Sequence, residues 1–134
     1  MNYGIIGRNF MIKGIGIDII EIERIKAAVE KYGRGFLSKV FTERELEYCQ
    51  RLKSYKYPEL AVRFAAKEAY SKAIGTGIAG FGRPNDGIAW KSVEIINDQS
   101  GKPWLYINNE KDGKSQLSLS HSRDYAVAAV YVEE

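Results

Sequence analysis

Segment 58–75 constrains the fold more than any other part of the chain, because it predicts one long helix with a proline in its first turn and a glycine at its end. One face of this helix carries, at helical spacing, Ala61, Ala65, Glu68 and Lys72. The two alanines allow a neighbouring element to approach closely, and the acid and the amine bring charge to that contact. Glu68 and Lys72 are therefore either an ordinary surface ion pair one turn apart or part of a functional site.

The strand before the helices has two very different faces. In segment 13–20, isoleucines at 15, 17 and 19 alternate with Gly14, Gly16 and Asp18, which is the periodicity of a β-strand. We expect the isoleucine face to lie in the core. Two residues without side chains leave space around Asp18, so that a ligand's polar atoms can approach it. The alternative is that Asp18 caps the following helix, a frequent role for aspartate.

The chain of 134 residues has the size of one domain, which we assign to residues 11–134. Residues 1–10 form a leader that precedes a second methionine, and the sequence does not decide whether it is native. With 45% hydrophobic and 28% charged residues, the composition predicts a globular protein and excludes a disordered one. The chain has neither an apolar run of about 18 residues nor a secretory signal, so we expect a cytoplasmic protein without a membrane partner.

The remaining patterns predict an α+β fold. A helix follows the strand from Ile22 to about Phe36 and is ended or broken by glycines, and Thr42 with Glu45 forms a capping box for a second helix that runs to about Lys53. Segments 92–96, 104–107, 116–120 and 125–132 read as antiparallel strands. The expected architecture is thus one strand, three helices, and antiparallel strands packed on the long third helix.

The scarcity of soft ligands limits the metal chemistry. One cysteine, Cys49, and one histidine, His121, exclude an internal disulfide and a cysteine-based zinc site, and nearly exclude a transition-metal cluster. A hard cation held by carboxylates remains open. Asp18 and Glu68 meet that need, and three basic residues lie near Glu68 in sequence: Arg63, Lys67 and Lys72. This combination suggests Mg²⁺-assisted chemistry at a phosphate or pyrophosphate.

The glycines after the long helix also match a phosphate-binding pattern, but in the wrong context. Gly75, Gly77 and Gly80 fit G-x-G-x-x-G, yet they follow a helix, whereas the dinucleotide fingerprint follows a strand and opens a helix. We therefore reject a dinucleotide-binding fold. Two interpretations remain, namely a helix end with a loop, or backbone N–H groups that line a phosphate site.

The positive charge is concentrated in the first half of the chain. The net charge is only +3, too small to indicate a nucleic-acid partner. Between residues 21 and 72, however, 12 Lys and Arg stand against 8 Asp and Glu, a net of +4. This predicts a basic face, which is either a solvated surface or a docking site for something acidic.

Four segments together resemble the holo-[acyl-carrier-protein] synthases, the small bacterial class of 4′-phosphopantetheinyl transferases. They are GIGIDIIEIER at 14–24, RFAAKEAYSKAIGTGI at 63–78, GKP at 101–103 and LSLSHSRDYAVAAV at 117–130. The resemblance covers the chain from Met11 to about Val132, with the motifs in the family's order and spacing. The combination of G-I-D with F-x-x-K-E-A-x-x-K-A makes it specific.

The resemblance implies an enzyme that moves 4′-phosphopantetheine from coenzyme A to a serine of apo acyl carrier protein, with Mg²⁺, and releases adenosine 3′,5′-bisphosphate. It implies a homotrimer with active sites between subunits, and a role in fatty acid biosynthesis. The metal ligands fall on Asp18 and Glu68, which with Lys72 form the expected catalytic set. The expected coenzyme A contacts are Arg63, Lys67, Lys72, Gly75, Gly77 and His121, and the expected carrier contacts are Arg24, Lys31 and Arg34.

Two other classes of function remain as alternatives on the residues alone. Nine tyrosines and a basic helical half allow a small RNA-binding module, although the chain has no aromatic–glycine RNA-binding motif and no run rich in Lys and Arg. A regulator that binds coenzyme A without catalysis is the other alternative. The general base is also open: Glu68 acts directly or through a metal-bound water, or Lys72 takes the proton.

Overall fold

A computed structural model describes residues 11–78 and 87–134, so the predicted leader 1–10 and Gly80 lie outside the described residues. The helices are α1 Ile22–Tyr32, α2 Arg34–Val40, α3 Glu43–Cys49 and α4 Tyr57–Ile74. The strands are β1 Ile12–Glu21, β2 Gln50–Arg51, β3 Ser54–Tyr55, β4 Val93–Asn97, β5 Pro103–Ile107, β6 Glu110–Lys111, β7 Ser115–His121 and β8 Tyr125–Glu133. A short 3₁₀ helix, Trp90–Ser92, precedes β4. The predicted α+β class is confirmed.

Residues 11–78 and 87–134 contain three antiparallel sheets, and one of the two three-stranded sheets carries the long helix. Its strand order is β1-β8-β7, with Asp18 paired to Ala128 and Ala128 to Leu119. Helix α4 lies mainly over β1 and β8. A second sheet has the order β4-β5-β6, and β2 pairs with β3 in a small hairpin. The predicted packing of antiparallel strands on the long helix is present.

The segment predicted as one helix after β1 is two helices. Gly33 has φ +54°, a left-handed conformation that favours glycine, and it ends α1 and starts α2. The next helix, α3, is capped as predicted: the Thr42 hydroxyl accepts from the Glu45 N–H, and the Glu45 carboxylate accepts from the Thr42 N–H. It ends at Cys49 rather than near Lys53, because the chain turns into β2.

The prediction for the two faces of β1 is wrong, and glycine explains why. A Cβ atom added at Gly14 or Gly16 would lie 1.9 Å from a backbone oxygen of α4, at Ala73 and Ala69 respectively. The glycine face is therefore pressed against the helix backbone. The isoleucine face points away, and Ile15, Ile17 and Ile19 are 74%, 64% and 64% exposed. Close approach of two backbones requires small residues, so the glycine face forms the contact.

The core lies between α4, the first sheet and the shorter helices. Both alanines of the predicted close-approach face, Ala61 and Ala65, are fully buried. Phe64 stacks on Trp90 at 4.8 Å between ring centroids. Among the described residues, the helices are too short or too polar to pass through a bilayer.

Candidate functional site

Asp18 and Lys72 meet where β1 crosses α4. The Lys72 Nζ donates to Asp18 Oδ1 and to the Ile17 carbonyl oxygen, each at 3.0 Å. The Asp18 side chain is 18% exposed and that of Lys72 is 54% exposed, so the pair is open to ligands from one side. The residue before α1, Glu21, makes no side-chain cap. Asp18 therefore pairs with Lys72 across 54 residues of sequence, which leaves the helix-cap alternative without support.

Glu68 lies one turn before Lys72 on the same face of α4 and is partly buried. Side chains four residues apart on a helix are neighbours, so Glu68 lies beside the lysine whose amine reaches β1. The structure therefore brings together the three residues predicted as the catalytic set. We call Asp18, Glu68 and Lys72 the acidic flank of α4.

The acidic flank suits a hard cation better than a soft one. It offers carboxylate oxygens with solvent access, and Mg²⁺ is commonly bound through one or two carboxylates, with water and phosphate oxygens as further ligands. Within residues 11–78 and 87–134, no group of three or more His, Cys, Asp or Glu is arranged to hold a metal. A cation at Asp18 and Glu68 could take its remaining ligands from water or from phosphate oxygens.

Lys67 does not face the acidic flank. Its Nζ is fully buried and donates to Glu45 Oε1 at 2.7 Å, to the Val40 carbonyl at 2.7 Å and to the Trp90 carbonyl at 3.2 Å. Burial lowers the pKa of Lys67, and the Glu45 carboxylate opposes that shift. The expected contact between Lys67 and coenzyme A stays a prediction. In the structure, the Lys67 amine donates to three acceptors inside the protein.

Arg63 contacts residues that line a polar cavity, which is the second candidate region. Its guanidinium is buried, donates to Glu59 Oε1 at 3.0 Å and to Asn97 Oδ1, and lies 4.4 Å from the centre of the Tyr48 ring. Glu59, Asn97 and Tyr48 all line a polar cavity of about 360 Å³. Arg63 therefore lies next to this cavity, with its charge paired to the Glu59 carboxylate at the cavity wall.

The same cavity contains the predicted histidine. Its wall is completed by Val62, Gly101, Pro103, Leu117, Ser118, Leu119 and His121. The Gly101–Pro103 portion is the GKP motif. We call this region, with Arg63 behind it, the histidine pocket. Sequence reasoning missed Tyr48, Glu59 and Asn97, because their nearness to His121 depends on pairing between distant segments.

The acidic flank and the histidine pocket lie on opposite sides of α4. Glu59 and Glu68 are nine residues apart, about two and a half helical turns, so they point in opposite directions. The strand order also separates the two regions. Asp18 is on β1 and His121 is on β7, and these edge strands lie about 9–10 Å apart with β8 between them. The helix that lies over the sheet stands between them. The two regions of a single chain are thus separated by the body of α4.

Gly75 and Gly77, the two described glycines of the motif, have their backbone N–H groups engaged. Gly75 ends α4 with φ +83°, and its N–H donates to the Ser71 and Lys72 carbonyls. The N–H groups of Thr76 and Gly77 also donate to the Ser71 carbonyl. The predicted phosphate contacts at Gly75 and Gly77 thus find no free N–H group in this arrangement. The helix that precedes these glycines agrees with the rejection of a dinucleotide-binding fold.

The expected carrier contacts are all exposed. Arg24 and Lys31 lie on α1, and Arg34 begins α2. Arg34 pairs with Glu43 at 3.0 Å, which offsets part of its charge. The Lys31 amine lies 5.3 Å from the centre of the Tyr32 ring.

The single cysteine is not available for chemistry. Cys49 is buried, and burial raises the pKa of its thiol to about 11, so it is not a nucleophile at neutral pH.

The chain is similar in sequence and fold to proteins of known family. Residues 14–130 match the model of the 4′-phosphopantetheinyl transferase superfamily. The holo-[acyl-carrier-protein] synthase of Chloroherpeton thalassium is 49% identical over 123 residues, which are 89% of this chain and 96% of that protein. The holo-(acyl-carrier-protein) synthase from Bacillus anthracis str. Ames, solved in complex with CoA (3′,5′-ADP), is 39% identical with a TM-score of 0.72, covering 92% of this chain and 98% of that one.

A second solved structure extends the likeness. The holo-[acyl-carrier-protein] synthase from Neisseria meningitidis is 33% identical with a TM-score of 0.76, and the match covers 92% of this chain and 100% of that one. The resemblance drawn from the motifs is confirmed. The chain belongs to the 4′-phosphopantetheinyl transferase superfamily, and within it to the holo-[acyl-carrier-protein] synthases, which makes it a transferase.

Proposed function

We propose that this chain transfers 4′-phosphopantetheine from coenzyme A to a serine of apo acyl carrier protein, depends on Mg²⁺, and releases adenosine 3′,5′-bisphosphate. We further propose that it works in the cytoplasm and serves fatty acid biosynthesis. The observation that supports the chemistry most is the meeting of Asp18 and Lys72 beside Glu68. Carboxylates for a cation and an amine for phosphate oxygens are what cleavage of a pyrophosphate needs.

The reaction joins the serine oxygen to the phosphorus that carries pantetheine. The bond between that phosphorus and the oxygen that bridges to the second phosphate breaks, and its electron pair leaves with adenosine 3′,5′-bisphosphate. The serine proton must go to a base, and Glu68 is our choice, directly or through a water. Lys72, which reaches across to β1, neutralises the negative charge that develops on the leaving phosphate.

Asp18 and Glu68 are the residues that would hold Mg²⁺. When bound, the cation neutralises charge on the pyrophosphate oxygens and fixes their position. Asp18 is held in place for this by its strand, since Gly16 and the α4 backbone leave β1 little freedom to move. The site is thus built on a strand and a helix rather than on a loop.

The opposite placement of the two regions supports a site shared between copies of the chain. A nucleotide whose phosphates lie at the acidic flank of one subunit could extend into the histidine pocket of its neighbour, where the His121 imidazole offers a hydrogen-bonding group. The exposed isoleucine face of β1 supports assembly. It borders an apolar cavity of about 510 Å³, lined by Ile15, Ile17, Gln116, Ala129 and Tyr131 among others. Water contact with such a face is unfavourable, so we propose a homotrimer that covers it.

The test of the proposed function is the mass of the carrier protein. Incubation of the chain with Mg²⁺, coenzyme A and apo acyl carrier protein is expected to add one phosphopantetheine group to the carrier and to release one adenosine 3′,5′-bisphosphate. A carrier whose serine is replaced by alanine is the control. An unchanged carrier mass under these conditions would reject the proposal, and a chain that instead retained RNA would support the binding module.

Charge reversal on α1 is expected to affect one substrate only. Arg24 is exposed, and acyl carrier proteins are acidic, so Arg24→Glu would replace attraction by repulsion during encounter. We expect the KM for carrier protein to rise about tenfold or more, while the KM for coenzyme A changes little. Steady-state kinetics with each substrate varied in turn measures both. Equal rises in the two values would contradict a carrier-specific role for Arg24.

A further inference from the structure

The carboxylate that would hold a cation is already paired with a cation of the chain itself. Lys72 Nζ lies 3.0 Å from Asp18 Oδ1 and 3.0 Å from the Ile17 carbonyl oxygen. Both acceptors belong to β1, whose position is fixed by the contact of Gly14 and Gly16 with the α4 backbone. The lysine therefore sits in a two-oxygen site on a rigid strand.

A divalent cation at Asp18 must compete with this amine. Two positive charges on one carboxylate repel each other at such distances, and the repulsion is weakened only partly because Asp18 is mostly shielded from solvent. Binding of the cation alone is therefore opposed as long as the Lys72 amine stays at Asp18 Oδ1 and the Ile17 carbonyl. The lysine side chain is half exposed and flexible, so the amine has room to swing into water, but it then gives up its two hydrogen bonds to β1.

Coenzyme A removes that obstacle. Its pyrophosphate offers oxygens that are more strongly charged than a carbonyl and that can accept from the lysine amine. Once Lys72 has turned to the pyrophosphate, Asp18 is released for the cation, and the same pyrophosphate supplies further cation ligands. We propose that Lys72 makes divalent-cation binding at Asp18 conditional on coenzyme A, so that the cation and coenzyme A bind together rather than one by one. This inference rests on the proposed function, because it uses its cation site and its substrate.

The consequence is a coupling between two ligands. In the wild-type chain, coenzyme A tightens cation binding for two reasons, the release of Asp18 by Lys72 and the new ligands from the pyrophosphate. Without the lysine amine, only the second reason remains. By reciprocity, the cation must tighten coenzyme A binding by the same factor in each variant.

The experiment measures Mn²⁺ binding to the full-length chain without carrier protein, so that no turnover occurs. Free Mn²⁺ is followed by electron paramagnetic resonance, and Mg²⁺ binding by calorimetry, each with and without coenzyme A. The variants are Lys72→Met, which keeps the length of the stem, and Lys72→Arg, which keeps the charge. Lys114→Met is the matched control for loss of one positive charge, because Lys114 is exposed and precedes β7 at the far end of the sheet from Asp18.

Without coenzyme A, we expect Lys72→Met to bind Mn²⁺ about five- to tenfold more tightly than the wild-type chain. The factor by which coenzyme A tightens Mn²⁺ binding should fall by the same amount. Lys72→Arg and Lys114→Met should behave like the wild-type chain. If Lys72→Met binds Mn²⁺ alone equally or more weakly, the inference is overturned.

Asp18→Asn separates this outcome from a failure of the proposed function. Loss of Mn²⁺ binding in Asp18→Asn, together with an unchanged affinity in Lys72→Met, would leave the cation site in place and reject only the role of Lys72. Unchanged Mn²⁺ binding in Asp18→Asn would instead reject the cation site. Circular dichroism of each variant confirms that the fold is retained.

Discussion

The variant Glu68→Gln is expected to lower the rate of transfer to the carrier protein by about a thousandfold. Glutamine has nearly the same size as glutamate, so the packing of α4 should be kept. It has no negative charge for a cation and it is too weak a base to take the serine proton. The measurement is kcat/KM for carrier protein over a range of Mg²⁺ concentrations, together with the Mg²⁺ affinity in the presence of coenzyme A.

Two further variants sharpen this prediction. Glu110→Gln, on the exposed strand β6, is the control for removing one carboxylate, and it should retain the wild-type rate. A comparison of pH–rate profiles for Glu68→Gln and Lys72→Ala at saturating Mg²⁺ identifies the general base. The variant whose rate no longer rises with pH is the one that lacks the base. A Glu68→Gln enzyme with wild-type rate and Mg²⁺ affinity would contradict our assignment.

The largest effect on stability is expected for Lys67→Met. The lysine is fully buried, and its removal leaves the Glu45 carboxylate without its ion-pair partner and the Val40 carbonyl without its side-chain donor. Removal of one partner of a buried ion pair costs about 3–5 kcal/mol, because the remaining charge stays in the interior. We expect the free energy of unfolding in denaturant to fall by this amount.

A second variant shows whether the buried charge is the cause. Glu45→Gln in the Lys67→Met background removes the uncompensated carboxylate, while the amide oxygen can still accept the Ile95 N–H that Glu45 accepts at 2.9 Å. The double variant should therefore be more stable than Lys67→Met alone. If instead Lys67→Met is as stable as the wild-type chain and raises the KM for coenzyme A, the lysine binds substrate as the family resemblance implies.

Local sequence patterns were sufficient to predict some elements of the fold. The capping box at Thr42 and Glu45, the proline and glycine at the ends of α4, and the alternation of β1 each depend on residues close in sequence, and each is present in the structure. The acidic flank was also predictable, because the helical spacing of Glu68 and Lys72 is local. The pairing of Asp18 with Glu68 was also proposed from the residues, through the need of a hard cation for carboxylates, whereas the contact between Asp18 and Lys72 depends on the packing of β1 on α4.

Other features depend on contacts that no local pattern encodes. Periodicity gives β1 two faces but does not say which one meets the helix, and the preference of isoleucine for a core pointed to the wrong one. The histidine pocket depends on Arg63 reaching Asn97, 34 residues away. The burial of Lys67 depends on Glu45, 22 residues away. In each case the tertiary partner decides the role of the side chain.

The central claim is that two copies of the chain share each active site, and mixed assemblies test it most directly. Glu68→Gln disables the acidic flank, and His121→Glu puts negative charge into the histidine pocket. If the two variants are unfolded, mixed equally and refolded together, about one quarter of the sites combine two intact regions. We therefore expect up to about one quarter of wild-type transfer activity from two variants that are each nearly inactive.

The matched control mixes Glu68→Gln with Asp18→Asn, which damage the same region. No shared site is then intact, so this mixture should remain inactive. Native mass spectrometry establishes that mixed assemblies have formed in both cases. If the mixture of Glu68→Gln and His121→Glu shows only the average activity of its two parents, each site lies within one chain and the account is contradicted.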